Sequence, residues 1–138
     1  MRIQYLTHRI HNNIYLTPSQ TASAPQVTFK PDRYHYYYTL VLFDPNAVGG
    51  NRIHWLVINI PGNDIHQGEV LFSYDGPHPP KGTGIHHYCF VLLLQLAGRM
   101  ILPRPPFSTR YLSMKQLYKA LRSPLFLVDR QYFTSSYP

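Results

Sequence analysis

Apolar residues collect in three uninterrupted runs along the chain, at residues 36–43, 54–60 and 86–96, each bounded by turn-forming residues. The first ends at Asp44-Pro45-Asn46, the second lies between Gly49-Gly50-Asn51 and Pro61-Gly62, and the third follows the loop Tyr74-Asp75-Gly76-Pro77-His78-Pro79-Pro80-Lys81-Gly82-Thr83-Gly84. Short apolar runs rich in β-branched and aromatic residues predict strands, and their continuity predicts burial on both faces. So much proline and glycine makes the loop before residue 86 either rigid and ordered or very mobile. Residues 1–37 are polar and irregular, with short strand-like pieces such as Gln26-Val27-Thr28-Phe29, and read as a sheet edge with connecting loops. One stretch has helical spacing: over residues 109–121, Met114, Leu117, Tyr118 and Leu121 recur three and four apart, and Pro124 limits its extension. Ile101-Leu102-Pro103-Arg104-Pro105-Pro106 reads as a short extended linker.

Composition supports a folded, mostly β chain. With 44% hydrophobic residues, 12 tyrosines and 7 phenylalanines it is too apolar for a disordered segment, and 13 prolines and 8 glycines imply many turns. At 138 residues the expectation is a single domain spanning 1–138. Cys89 has no partner for an internal disulfide, no apolar stretch reaches the roughly 20 residues that span a bilayer, and no secretory leader is visible at the start. A monomer in the cytoplasm, touching membranes at most peripherally, is expected. The formal charge of +7 favours anionic partners of any kind. Arg99, Arg104, Arg110, Lys115, Lys119, Arg122 and Arg130 read as a solvated basic face, and no nucleic-acid motif accompanies them.

Candidate chemistry sits at the strand ends, where a side chain reaches the rim of a sheet on a fixed backbone. Asp44 closes one run, His54 opens the next, and His86 opens the third. A carboxylate holding one imidazole nitrogen leaves the other free to donate to an anion, and Gly82-Thr83-Gly84 offers accessible amides and a hydroxyl. The same residues also fit plain structural roles, or a metal site built from Asp44, His54, His86 and His87. Alternation along a strand sets His86 and His87 on opposite faces, against one shared ion. Cys89, inside an apolar run, reads as an inert core thiol rather than a nucleophile.

Asp44-Pro45-Asn46-Ala47, His54-Trp55-Leu56-Val57, Pro61-Gly62 and Pro79-Pro80-Lys81-Gly82-Thr83-Gly84-Ile85-His86-His87-Tyr88, in this order, resemble the phosphatidylethanolamine-binding protein family, also called the Raf kinase inhibitor protein family. They resemble its D-P-D-A-P and G-x-H-R-Y motifs joined by the H-W-L-V strand, and the likeness runs from Leu16 onward. The resemblance implies a large central antiparallel sheet packed on a smaller one with a peripheral helix, and a pocket for phosphate or phosphorylated head groups lined by Asp44, His54, Pro80, Gly82, His86 and Tyr88. Asn46, Arg52, Thr83 and His87 are expected at its rim. It implies a non-enzymatic regulator with no cofactor and no resident metal, acting on a protein partner such as a kinase; inhibition of a serine carboxypeptidase is the alternative. Asn46 and Val48 depart from the first motif, His87 stands for the usual Arg, and Arg52 stands where an aromatic is common. Ending at Pro138, the sequence lacks the C-terminal helix of the animal proteins, so a more open and more basic pocket is expected.

Overall fold

A computed structural model describes residues 1–32, 36–102, 104 and 106–138. Strands β1 (Arg2–Tyr5), β2 (His8–Arg9), β3 (Ile14–Tyr15), β4 (Gln26–Thr28), β5 (Tyr37–Asp44), β6 (Arg52–Pro61), β7 (Glu69–Phe72), β8 (His86–Gln95) and β9 (Leu125–Ser135), with helix α1 (Met114–Leu121) between the last two, make up the fold. They form a three-stranded sheet, β2-β1-β4, and a six-stranded sheet, β3-β9-β8-β5-β6-β7. Every pairing is antiparallel except the two-residue β3–β9 contact, which is parallel.

The three apolar runs become β5, β6 and β8, adjacent in the large sheet and buried on both faces as their composition requires. Leu40, Leu42, Val57 and Phe90 meet Ile3, Tyr5, Val27 and Phe29 of the small-sheet layer. Val41, Leu56, Ile58, Val91 and Leu93 pack on the other face against Leu117 and Leu121 of α1. A face of Leu, Val and Phe removed from water contributes roughly 25 cal/mol per Å², so the sheet is held from both sides.

Three readings need correction. The first 37 residues hold β1, whose Arg2-Ile3-Gln4-Tyr5 alternation points Ile3 and Tyr5 into the core at 0% and 1% exposure. The helix begins at Met114 rather than near 109, because Ser113 and Gln116 form a capping box: Gln116 N–H donates to Ser113 Oγ at 3.0 Å and Ser113 N–H to Gln116 Oε1 at 2.8 Å. The preceding residues run beside β6 instead, with Ile53 N–H on Arg110 O (2.7 Å) and Leu112 N–H on Asn51 O (3.0 Å). The helix stops at Arg122 (φ 51°), before Pro124, and its Tyr118 is exposed rather than buried with Leu117 and Leu121. The chain's last strand, β9, covers 11 residues. Of the linker at 101–106, Pro103 and Pro105 lie outside the described residues.

Candidate anion site

The order β8-β5-β6 sets the ends of three strands side by side, and with them Asp44, His54 and His86. All three are buried, at 2%, 3% and 1% exposure. His54 owes its position to a β-bulge. The β5–β6 register passes from Leu42↔Trp55 to Phe43↔Ile53, so His54 is the extra residue, and a bulge of this kind re-aims a side chain.

His86 Nδ1 lies 2.7 Å from Asp44 Oδ2, and Asp44 Oδ1 accepts the Asn46 N–H at 2.7 Å. On the other side of the ring, His86 Nε2 is 2.8 Å from Thr83 Oγ1, which donates its hydrogen to Pro80 O at 2.6 Å. Thr83 has one hydroxyl hydrogen. With that hydrogen on Pro80, the hydroxyl oxygen faces His86 Nε2 while Nδ1 faces the Asp44 carboxylate, so both ring nitrogens are held in place. The chain of hydroxyl, imidazole and carboxylate has the spacing of a hydrolytic triad, but here the hydroxyl hydrogen is engaged by the Pro80 carbonyl instead of being passed to the imidazole. The Tyr88 ring stacks on His86 at 17° and meets His54 edge-on at 5.3 Å. Burial first, and the Asp44 charge second, push the Tyr88 hydroxyl well above its usual range.

A second group of polar residues completes the other wall. His54 Nδ1 donates to Asp75 O at 2.6 Å, and Asp75 N–H donates to His54 O at 2.9 Å. Arg52 Nη2 donates to Asp75 Oδ2 at 2.7 Å, and its Nη1 stands 3.4 Å from His54 Nε2. Burial lowers His54 to about 4, with Arg52 adding to the effect and the Asp75 carbonyl opposing it. His54 is therefore neutral at pH 7, with Nε2 as an acceptor facing Arg52. Burial alone would raise the Asp75 carboxyl, but Arg52 and His78 outweigh it and hold it below the usual range. The extra positive charge expected of Arg52 is thus balanced by Asp75.

These residues enclose a cavity of about 100 Å³. Asp44, Arg52, His54, Pro80, His86 and Tyr88 line it, joined by Ala47, Val48, His78, Pro79 and Tyr111, which the sequence did not place on its wall. Four expected residues stand off its wall. Gly82 (φ +81°) and Gly84 (φ +75°) turn the chain on either side of Thr83, whose hydroxyl steadies His86 from behind instead of lining the cavity. Asn46 turns outward with His87, its Oδ1 accepting the His87 N–H at 2.8 Å, so His87 and His86 point to opposite faces.

Asp75, His78 and Arg110 were missed. Asp75 and His78 lie in the Pro/Gly loop, which is ordered: Asp75 is tied to His54, and Tyr74 Oη donates to Thr21 O at 2.6 Å. Their signal was charge inside a loop noted only for its glycine and proline. Arg110, expected on a solvated basic face, donates to Ile53 O, His54 O and Ser73 O at 3.0–3.3 Å and braces the bulge. A Cβ added at Gly76 would lie 2.8 Å from Thr21 O and 3.3 Å from Ala22 Cα, both backbone. Gly76→Ala is expected to cost about 1–3 kcal/mol in urea unfolding; an unchanged midpoint would show that the loop is not pinned there.

A family model described as phosphatidylethanolamine-binding protein matches residues 6–124. The chain is 35% identical over 121 residues to Protein TERMINAL FLOWER 1 of Arabidopsis thaliana, covering 80% of this chain and 67% of that protein. It is 41% identical over 92 residues to a 26 kDa secreted antigen of Toxocara canis, covering 60% of this chain but only 34% of the antigen's length. In fold it is similar to a carboxypeptidase Y inhibitor solved with its cognate proteinase, with a TM-score of 0.77, 19% identity, and coverage of 99% of this chain and 82% of that one. With that family matched over most of its length and the sheets arranged as the motifs implied, the chain belongs to the phosphatidylethanolamine-binding protein family.

Proposed function

We propose that this chain acts by binding and not by catalysis: it takes a phosphate or a phosphorylated head group into the cavity between Asp44, His54 and His86, and modulates a cytoplasmic protein partner, a kinase or a protease. The observation that carries this reading is His86, held at both ring nitrogens by Asp44 and Thr83, on the wall of the same cavity as the Arg52 guanidinium. Arg52 and His86 each have a carboxylate beside them, Asp75 and Asp44, so an arriving anion joins two paired groups instead of meeting a bare positive patch. A volume of about 100 Å³ suits a tetrahedral anion. Pockets for drug-sized ligands run to roughly 300–1,000 Å³, and two acyl chains have no room here. Catalysis is disfavoured because the Thr83 hydrogen is engaged by Pro80 and the Cys89 thiol, raised by burial to about 11, belongs to the opposite face.

Phosphate and phosphoethanolamine are expected to stabilise the protein by RT ln(1 + [L]/Kd), about 2.7 kcal/mol at one hundred times Kd. Asp44→Ala and His86→Ala are expected to abolish the thermal shift. A wild-type melting curve indifferent to both ligands would overturn the proposal. The fold shared with a carboxypeptidase Y inhibitor favours a second reading, inhibition of a serine carboxypeptidase. Residual peptidase activity measured against added protein separates the two.

A further inference from the structure

Successive residues of a strand face opposite ways, so the strands that build the anion cavity also build the floor of a different one. Asp44 and Tyr88 line the first; their neighbours Phe43 and Cys89 line a cavity of about 500 Å³ on the far side of the large sheet, between β9 and α1. Its walls include Val91 and Leu127, with Tyr118 and Tyr132 on their flanks. Leu127 and Tyr118 are 46% and 37% exposed, so the apolar surface is open to a ligand.

One charge lines this cavity. Arg130 stands close enough to the Cys89 thiol for its charge to act there, and no carboxylate among the described residues pairs with its guanidinium. Asp129, its neighbour in sequence, is committed to the amino group of Met1 at 2.8 Å. No hydrogen bond from the Tyr118 or Tyr132 hydroxyl is present among the described residues either. An apolar cavity of this size with a few convergent donors is the usual form of a small-molecule site, and the donors here are cationic or neutral. We infer that this cavity binds a small amphiphilic carboxylate, a medium-chain fatty acid in chemical class, with its chain against Phe43, Val91 and Leu127 and its head group on Arg130.

Cys89 is the single cysteine and reports occupancy directly. Its alkylation by N-ethylmaleimide, followed by mass at mildly alkaline pH, should slow by 1 + [L]/Kd on adding decanoate below its micelle concentration, about tenfold at nine times Kd. Decyltrimethylammonium, with the same chain and the opposite charge, should protect weakly. Arg130→Gln should lose most of the protection by decanoate while melting as the wild type does. His86→Ala should keep it, which separates this site from the anion cavity. Absence of protection, equal protection by the two amphiphiles, or full protection in Arg130→Gln would each overturn the inference. So would protection that grows with protein concentration alone, which would make a second copy of the chain the occupant.

Discussion

Replacing Asn59 with leucine is expected to cost about 3 kcal/mol or more and to lower the melting temperature by roughly 10 °C. Asn59 is 5% exposed and has φ 54°, a left-handed conformation that asparagine tolerates better than most residues. It occupies the bulge where the β5–β6 register passes from Tyr38↔Ile60 to Leu40↔Val57. From there its Oδ1 accepts from Met100 N (2.7 Å) and Gln95 Nε2 (2.9 Å), and its Nδ2 donates to Met100 O (2.8 Å) and Glu69 Oε2 (3.2 Å). Gln95 Oε1 closes the network by accepting from Asn59 N and the Thr39 hydroxyl. Leucine would leave both Met100 backbone groups buried without partners, each costing about 1–3 kcal/mol, would reduce the Gln95 Nε2 to its bond with Gly98 O at 2.9 Å, and would strain the backbone as well. Asn59→Gly divides the two causes, since glycine adopts φ 54° freely but makes no side-chain hydrogen bond. If urea unfolding finds Asn59→Gly as stable as the wild type, the network contributes nothing and only strain matters.

What the sequence revealed, and what it concealed, follow from the range of the interactions involved. Runs of apolar residues mark strands buried on both faces, because such burial suppresses alternation and leaves a signal read without knowing the neighbours. That is why β5, β6 and β8 were legible and why their ends gave Asp44, His54 and His86. β1 and β9 were underread for the opposite reason. β1 is buried on one side only, so half of its residues look like loop although Arg2-Ile3-Gln4-Tyr5 alternates, and β9 carries the polar Asp129-Arg130-Gln131 through its middle, with exposed residues before and buried ones only at Phe133-Thr134-Ser135. The bulges at His54 and Asn59 carry no sequence mark, since a register shift depends on the partner strand. The partners of the site residues were equally hidden. The Arg52–Asp75 ion pair joins residues 23 apart, and His86–Asp44 joins residues 42 apart. Counting charge along the chain therefore gave a more basic pocket than the one that forms.

Stability is expected to fall by about 3 kcal/mol as pH drops from 7 to 4 on account of His54 alone. Burial is the main cause of its lowered value of about 4 in the folded protein, against an ordinary 6.5. Above 6.5 the imidazole is neutral in both folded and unfolded chains and contributes no pH dependence. Between 6.5 and 4 the unfolded chain takes up a proton that the folded protein refuses, so the unfolded state is favoured increasingly as pH falls. Below about 4 both are protonated and the contribution levels off. His54→Gln keeps a donor for the Asp75 carbonyl but has nothing to titrate. Its stability should decline less steeply across this window than that of the wild type, and the gap between the two should shift by about 3 kcal/mol. Urea unfolding of both proteins at several pH values measures this. Parallel pH profiles would mean that the buried imidazole accepts its proton as readily as an exposed one. The consequence for binding follows from the same geometry: with His54 neutral near pH 7, the Arg52 guanidinium rather than His54 presents positive charge on that wall of the cavity.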